Sequence, residues 1–323
     1  MTRPPAALPR SVLGQLSDMD LRLLRVFKAV ADCGGMAAAE LELNIGVSTV
    51  SRHVKDLETR LGLTLCRRGR AGFALTPEGQ RVYDETLRLL SSVDAFRSGI
   101  DAIHGRMGGE LELALFDKIA SNPQARIGEA IALFARHAPG VSLHVHVASI
   151  NAIERGVIDG RFHVGVIPTH RASQSLAYAD LFGENMQLYA GAGHPLFESA
   201  PRNMGWAALR GHAFAGLGYH SPNMQLTHTR RLARAATGFD QEAIALLILS
   251  GRYLGFLPDH YAAGFEREGR MKAIEAERFR YTCRFACIWR RSPEPSRATA
   301  LFAHCLAQAH EQAAPQAEVD SSA

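Results

Sequence analysis

One long stripe constrains this chain more than any other feature. Val82, Thr86, Leu89, Val93, Phe96, Ile100 and Ile103 recur at alternating steps of four and three residues. Such spacing keeps one face of an α-helix apolar over successive heptads. Thr76 fits the N-cap, Pro77 the first helical position, and Glu78 the positive end of the helix dipole. The pattern runs to about His104, and a helix of that length is roughly 42 Å long. Such a rod divides the chain into a head before it and a body after it. Its stripe needs cover, either from the chain's own body or from a second copy. The second reading makes these seven residues a dimerisation seam.

The head is basic. Residues 1–75 hold eleven Arg and Lys (Arg3, Arg10, Arg22, Arg25, Lys28, Arg52, Lys55, Arg60, Arg67, Arg68 and Arg70). Against them stand seven acids (Asp18, Asp20, Asp32, Glu40, Glu42, Asp56 and Glu58). The difference equals the whole chain's net charge of +4, so the rest is neutral. A basic end on a neutral body points to a polyanionic partner.

Leu21, Leu24, Phe27, Val30 and Ala31 predict a helix over 20–32, stopped by Gly34 and Gly35. A short helix follows over 36–43. After "NIG", a second helix spans 47–60, with Val50, Val54, Leu57 and Leu61 as its buried stripe. Ser48, Thr49, Ser51, Arg52 and Lys55 are the polar residues offered to a partner. Two short helices joined by a turn containing Gly46 form the helix-turn-helix pattern, whose second helix enters the major groove of double-stranded DNA. Arg52 could grip a guanine in bidentate fashion. Next, "LTLCRRGRAGFALT" reads as a β-hairpin wing, with Arg67, Arg68 and Arg70 available to phosphates.

These residues resemble a known family. Leu21–Gln80 is similar to the DNA-binding domain of the LysR-type transcriptional regulators. The resemblance rests on Ser51-Arg52-His53-Val54-Lys55-Asp56-Leu57-Glu58 and on Leu75-Thr76-Pro77-Glu78-Gly79. It departs at Ala37 and Ala38, where the family often has Thr-Arg. It departs also at Val47-Ser48 in place of Gln-Pro, and at Cys66 in place of Phe. The resemblance implies that the long helix is a dimerising linker. A homodimer, or a homotetramer built from it, would meet a roughly palindromic operator.

After the "GRMGG" hinge the body alternates strand and helix. "ELELAL" is a strand. Asn122 and Pro123 are expected to cap and start a helix that stops at Pro139-Gly140. "VSLHVHVA", a helix in "NAIERGVIDG" and the strand "FHVGVIP" follow. Later, Asp240 caps a helix that Gly251 ends, before a strand closing at Pro258. "FARHAPGVSLHVHV", "GRFHVGVIP", "GAGHPL" and "SGRYLGFLP" resemble the effector-binding domain of the same family, which is similar to periplasmic binding proteins. His163 and Arg252-Tyr253 depart from its pattern.

The expected fold class is α/β, with a winged helix-turn-helix head, a linker helix and a two-lobed effector domain. The expected boundaries are a disordered lead-in over 1–17, the head over 18–76, the linker over 77–105 and the effector domain over 108–310. Lobe I takes about 108–183 and 292–310, lobe II about 184–291, and 311–323 is a disordered tail. Such folds bind small molecules where strand ends face the cleft between lobes. The effector candidates are Asp117, Ser121, Asn122, Ser149, Asn151, Thr169, His170, Tyr219 and Asp240, each also suited to a cap or turn. The helix expected at Pro123 would offer free N–H groups to an anion.

Other signals are set aside. His144 and His146 share a strand face, but no nearby carboxylate or thiol is expected to complete a metal site. Cys283 and Cys287 read as small buried residues rather than a redox pair. Five scattered cysteines, no signal-peptide core and no long apolar run suit a cytoplasmic protein without a membrane span. No motif demands a cofactor or a catalytic group. The expected function is a DNA-binding regulator modulated by an unidentified small-molecule effector. The alternative is a cytoplasmic α/β enzyme or ligand-binding protein with an accessory helical domain.

Overall fold

The computed structural model describes residues 14–69, 72–103, 107–169, 172–199, 203–219 and 221–311. The chain divides into two compact units, Met1–Asp94 and Ala95–Ala323, with the division inside the linker helix.

In the first unit, α1 (Asp18–Asp32) begins with a capping box. The Ser17 hydroxyl accepts from the Asp20 N–H while Asp20 Oδ2 accepts from the Ser17 N–H at 2.8 Å. Its buried face is broader than the predicted stripe, taking in Leu23, Val26 and Ala29, whereas Leu21 and Ala31 are only half-buried. The reason is that α1 serves two clusters. Leu23, Leu24 and Phe27 join one; Val26, Ala29 and Val30 join the other. The helices α2 (Met36–Leu43) and α3 (Val47–Leu61) complete the motif, and Val50, Val54 and Leu57 are fully buried. The strands β1 (Cys66–Gly69) and β2 (Gly72–Leu75) pair antiparallel as the wing.

The linker helix α4 (Pro77–Ile103) is anchored to the head. Thr76 Oγ1 accepts from the Gly79 N–H at 2.8 Å and donates to the Thr64 carbonyl at 2.6 Å. Gly79 lies so close to the Leu65 carbonyl that a Cβ has no room there. Tyr83 and Leu87 are buried with Leu57 and Leu65. This docking corrects the seven-residue seam. Thr86 is 2% exposed, with its hydroxyl donating to the Val82 carbonyl, and Val82 and Leu89 pack against the head cluster. Among the described residues, the second half of the stripe holds the exposed positions. Val93 is half-buried, Phe96 is 69% exposed and Ile100 is 41% exposed. The side chain of Ile103 lies outside the described residues.

The second unit opens with β3 (Gly109–Leu115), α5 (Ile127–His137), β4 (Val141–Val147), α6 (Ile150–Asp159) and β5 (Val164–Pro168). The long β6 (Leu176–Gly191) precedes α7 (Pro195–Glu198), α8 (Trp206–Leu209), β7 (Phe214–Leu217), α9 (Pro222–Arg230), β8 (Arg234–Gly238) and α10 (Gln241–Leu249). Then come β9 (Leu254–Pro258), α11 (Asp259–Arg267), β10 (Met271–Ala273), the long β11 (Arg280–Arg290) and α12 (Arg297–Glu311).

Strand order is β4-β3-β5-β11-β6-β9-β7-β8, with β10 on β6. The β3–β4, β3–β5, β7–β8 and β7–β9 pairings are parallel, as βαβ units require. The antiparallel pair β6 and β11 runs through both halves. Phe285–Ile288 of β11 pairs with β5, and Met186–Tyr189 of β6 pairs with β9. From Phe285 on, β11 therefore joins β5, inside the range expected for lobe II, because the one strand pairs with both β5 and β6. At the other end α12 lies on α5, where Phe134 and Phe302 meet edge to face at 5.4 Å.

A second correction concerns α5. It starts at Ile127, after a 3-10 turn over Ile119–Ser121 and after Arg126 in the left-handed region. Asn122 does not cap it. Its Oδ1 accepts from the Gln124 N–H at 2.9 Å, which is an Asx turn. The anion-binding helix end expected at Pro123 is absent. By contrast, Asp240 caps α10 through the Ala243 N–H at 2.7 Å, and Gly251 leaves that helix at φ 69°.

Candidate functional site

Two polar surfaces stand out, one in each unit. On α3 the buried Val50, Val54 and Leu57 fix which face turns outward. Ser48, Arg52 and Lys55 are exposed on that outward side; Thr49 and Ser51 are half-buried. Residues three and four apart share a helix face, so Ser48, Ser51, Arg52 and Lys55 form one row. His53 points inward and is buried. Arg67 is exposed on the wing. The side chain of Arg68 and all of Arg70 lie outside the described residues.

In the second unit a narrow cavity, with room for about one water molecule, opens where the lobes meet. Apolar walls come from Phe116, Ile150, Met186 and Leu217; Glu184, Gln241 and Tyr281 add polar groups. Of the nine expected effector residues, none of the eight that are described lines it. Five of them are chain neighbours of residues that do: Asp117 follows Phe116, Ser149 precedes Ile150 and Asn151 follows it, Thr169 follows Pro168 and Asp240 precedes Gln241. At these strand ends the adjacent residue forms the wall. Thr169 instead donates to the Arg284 carbonyl. Asn151 is exposed on α6, and His170 lies outside the described residues.

Three contacts hold the loop after β3 to the second lobe. Asp117 Oδ2 accepts from the Gln241 N–H at 2.6 Å. Lys118 pairs with Glu242, which also accepts from the Tyr261 hydroxyl at 3.0 Å. Ser121 Oγ meets His260 Nδ1 at 2.9 Å, and His260 Nε2 meets Glu184 Oε2 at 3.0 Å. Burial pushes the Asp117 carboxyl up to about 6, partly offset by the Gln241 N–H. Burial also raises Glu184, against the lowering effect of His260. Sequence reasoning missed Glu184 and His260, which are 76 residues apart and meet only through the fold.

Two further sequence readings meet the structure here. Glu112 stands opposite His144 in the parallel β3–β4 pair, with its carboxylate 3.5 Å from His144 and 2.6 Å from His146. A carboxylate is therefore present where none was expected, because strand pairing brings it from 32 residues away. Among the described residues, no group of three or more His, Cys, Asp or Glu is placed to hold a metal. Cys283 and Cys287 are buried, and burial pushes the Cys287 thiol up to about 12.

A winged helix-turn-helix with an outward basic row, joined by a helix to a two-lobed cleft, defines a ligand-responsive DNA-binding regulator. Comparisons agree. The LysR substrate-binding domain matches residues 104–311, and the bacterial regulatory helix-turn-helix of the lysR family matches residues 21–80. The HTH-type transcriptional activator BauR of Pseudomonas aeruginosa is 37% identical over 91% of this chain and 97% of that protein. The fold is similar to full-length OxyR from Pseudomonas aeruginosa, with TM-score 0.62 and 20% identity over 90% of this chain and 95% of that one. It is similar also to full-length CbnR complexed with its target DNA, with TM-score 0.59 and 20% identity over 90% and 99% of the two chains. This chain belongs to the LysR family. It is a DNA-binding transcriptional regulator with an effector-binding domain, and not an enzyme.

Proposed function

We propose that this regulator reads its operator through Ser48, Thr49, Ser51, Arg52 and Lys55, with Arg67, Arg68 and Arg70 of the wing on the phosphates. The observation that carries this reading is the split of α3 into a fully buried apolar face and an exposed basic row. Arg52 supplies base discrimination, and Lys55 and the wing supply salt-dependent affinity. The uncovered end of the stripe, Val93, Phe96 and Ile100, pairs with the same stripe on another copy. The homodimer or homotetramer then offers two reading heads to a roughly palindromic operator. The protein works in the cytoplasm, where its DNA is; among the described residues no helix is long and apolar enough to cross a membrane.

The cavity between the lobes is the effector site. An effector shifts DNA binding only by its differential affinity for two arrangements of the lobes. The test is binding to the DNA upstream of this protein's own gene across a salt series, for wild type, Arg52→Ala and the cavity-filling Leu217→Trp. Arg52→Ala should lose specificity, and Leu217→Trp should alter the footprint or its response to small molecules. An unchanged footprint in Leu217→Trp removes the cavity from the mechanism; equal preference for random duplex removes the operator reading.

A further inference from the structure

The cavity between the lobes is smaller than what it is proposed to receive. It has room for about one water molecule, whereas small-molecule sites run to roughly 300–1,000 Å³. A small molecule therefore enters only when the lobes part. What holds them together is a short strap, residues 117–121, that begins directly after the wall residue Phe116.

The strap reaches α10 and α11 at three points. Asp117 Oδ2 accepts from the N–H of Gln241, itself a wall residue, at 2.6 Å. Lys118 pairs with Glu242, and its ammonium lies 4.8 Å from the centre of the Tyr261 ring. Ser121 Oγ meets His260 Nδ1 at 2.9 Å, and His260 Nε2 continues to the wall residue Glu184 at 3.0 Å. Lys118 makes its contact at φ 62°, in the left-handed region that a residue other than glycine keeps only where its surroundings hold it. Each of the three contacts is polar, and water can replace it at modest net cost. That suits a reversible latch better than a fixed seam. The strands β6 and β11, which pair with each other and with β9 and β5, give the lobes a continuous hinge as they part.

We infer that residues 117–121 form a latch, which locks the lobes over the cleft and whose release from Gln241, Glu242 and His260 admits a small molecule. The inference rests on the reading of the cleft as the effector site.

The test uses a thiol that the chain already carries. Cys283 lines the cleft and is 6% exposed; burial keeps its thiol protonated and slow to react. Cys287, four residues further along β11, is 1% exposed in the core and is not part of the wall. Arg284 stands between them, so trypsin releases the two thiols in separate peptides. The full chain is treated with iodoacetamide, and each peptide is followed by mass spectrometry. Where opening and reclosing outpace alkylation, the rate tracks the population of the open form. The double variant Lys118→Met, Ser121→Ala should raise Cys283 labelling at least about tenfold, by loss of two modest contacts, and leave Cys287 at the wild-type rate. Glu242→Gln, at an exposed position, should give a smaller selective rise and keeps the test open if the double variant does not fold. Cys283 labelling at the wild-type rate in both variants overturns the latch. So does a rise shared equally by Cys287 in both, because that is general loosening and not parting of the lobes. Leu217→Trp separates the latch from the reading beneath it. Selective Cys283 labelling with an unchanged Leu217→Trp footprint keeps the latch and removes the effector reading. An unresponsive Cys283 with an altered footprint removes the latch alone.

Discussion

The reading head and the cleft are both polar, but they handle polarity in opposite ways. On α3, Arg52 and Lys55 stand in water, where a charge needs no partner. Their energy is realised only when phosphates or bases replace that water, and salt competes with it. In the cleft, Glu184 and Gln241 are already out of water, and Gln241 Oε1 lacks a partner. Solvent screens them little. The head is built for a long, repetitive polyanion. The cleft keeps its polar groups buried among apolar walls.

The largest expected effect separates the two faces of α3. Leu57 is fully buried between the head and the linker helix. Leu57→Ala should cost about 2–5 kcal/mol of head stability in urea unfolding. Arg52→Ala should change that stability by no more than about 0.5 kcal/mol. A comparable loss in both variants would mean that the exposed row is structural. At the DNA the order reverses in kind. Arg52→Ala should lose about 1–3 kcal/mol of specific affinity and relax the preference at one base pair. Lys55→Ala should weaken all duplexes alike and lower the salt slope by about one, as filter binding across a salt series would reveal.

The linker helix tests whether its stripe is a meeting surface at all. Phe96 and Ile100 lie beyond the part that the head covers. Phe96→Asp places a charge on the proposed seam and should raise the self-association constant Kd at least about tenfold by sedimentation. Thr86→Val is the matched control, because Thr86 is buried within its own head. If Phe96→Asp leaves the assembly mass unchanged across concentration, the seam is elsewhere.

The same contrast explains what could be seen in the sequence. The head is made of local repeats. Val50, Val54 and Leu57 sit three and four apart, and that spacing is enough to orient α3. Thr76 and Gly79 likewise act within one turn, as the cap and the close approach to Leu65. The cleft has no such local rule. Which of Phe116 or Asp117 faces the cavity depends on how β3 sits in its sheet, and a step of one residue reverses the answer. Glu184 and His260 carry no spacing signal, because two long crossing strands and a distant helix bring them together. The stripe on α4 was visible, but its first half is taken by Tyr83, Leu87 and the head cluster. Periodicity reports an apolar face and does not name its occupant.

The last prediction isolates the cost of keeping Asp117 buried. Its pKa is raised from the ordinary carboxylate value to about 6, with burial as the main cause. The groups acting on it are Asp240, Lys118, Glu184 and the Gln241 N–H. A carboxyl raised in the folded state binds its proton more tightly there than in the unfolded chain. It therefore contributes stability that is fully present below about pH 4 and is lost as pH rises through about 6. Carboxylates whose pKa is lowered on folding, such as Asp20, act in the opposite sense. The measurement is thus the difference between wild type and Asp117→Asn in unfolding free energy from pH 4 to pH 8. Asparagine keeps the acceptor for the Gln241 N–H and does not titrate. Wild type should lose ground to the variant as pH rises across that window. A flat difference without ligand would mean that Asp117 is solvated in solution, and the contrast between an exposed head and a dehydrated cleft would then fail at its central residue.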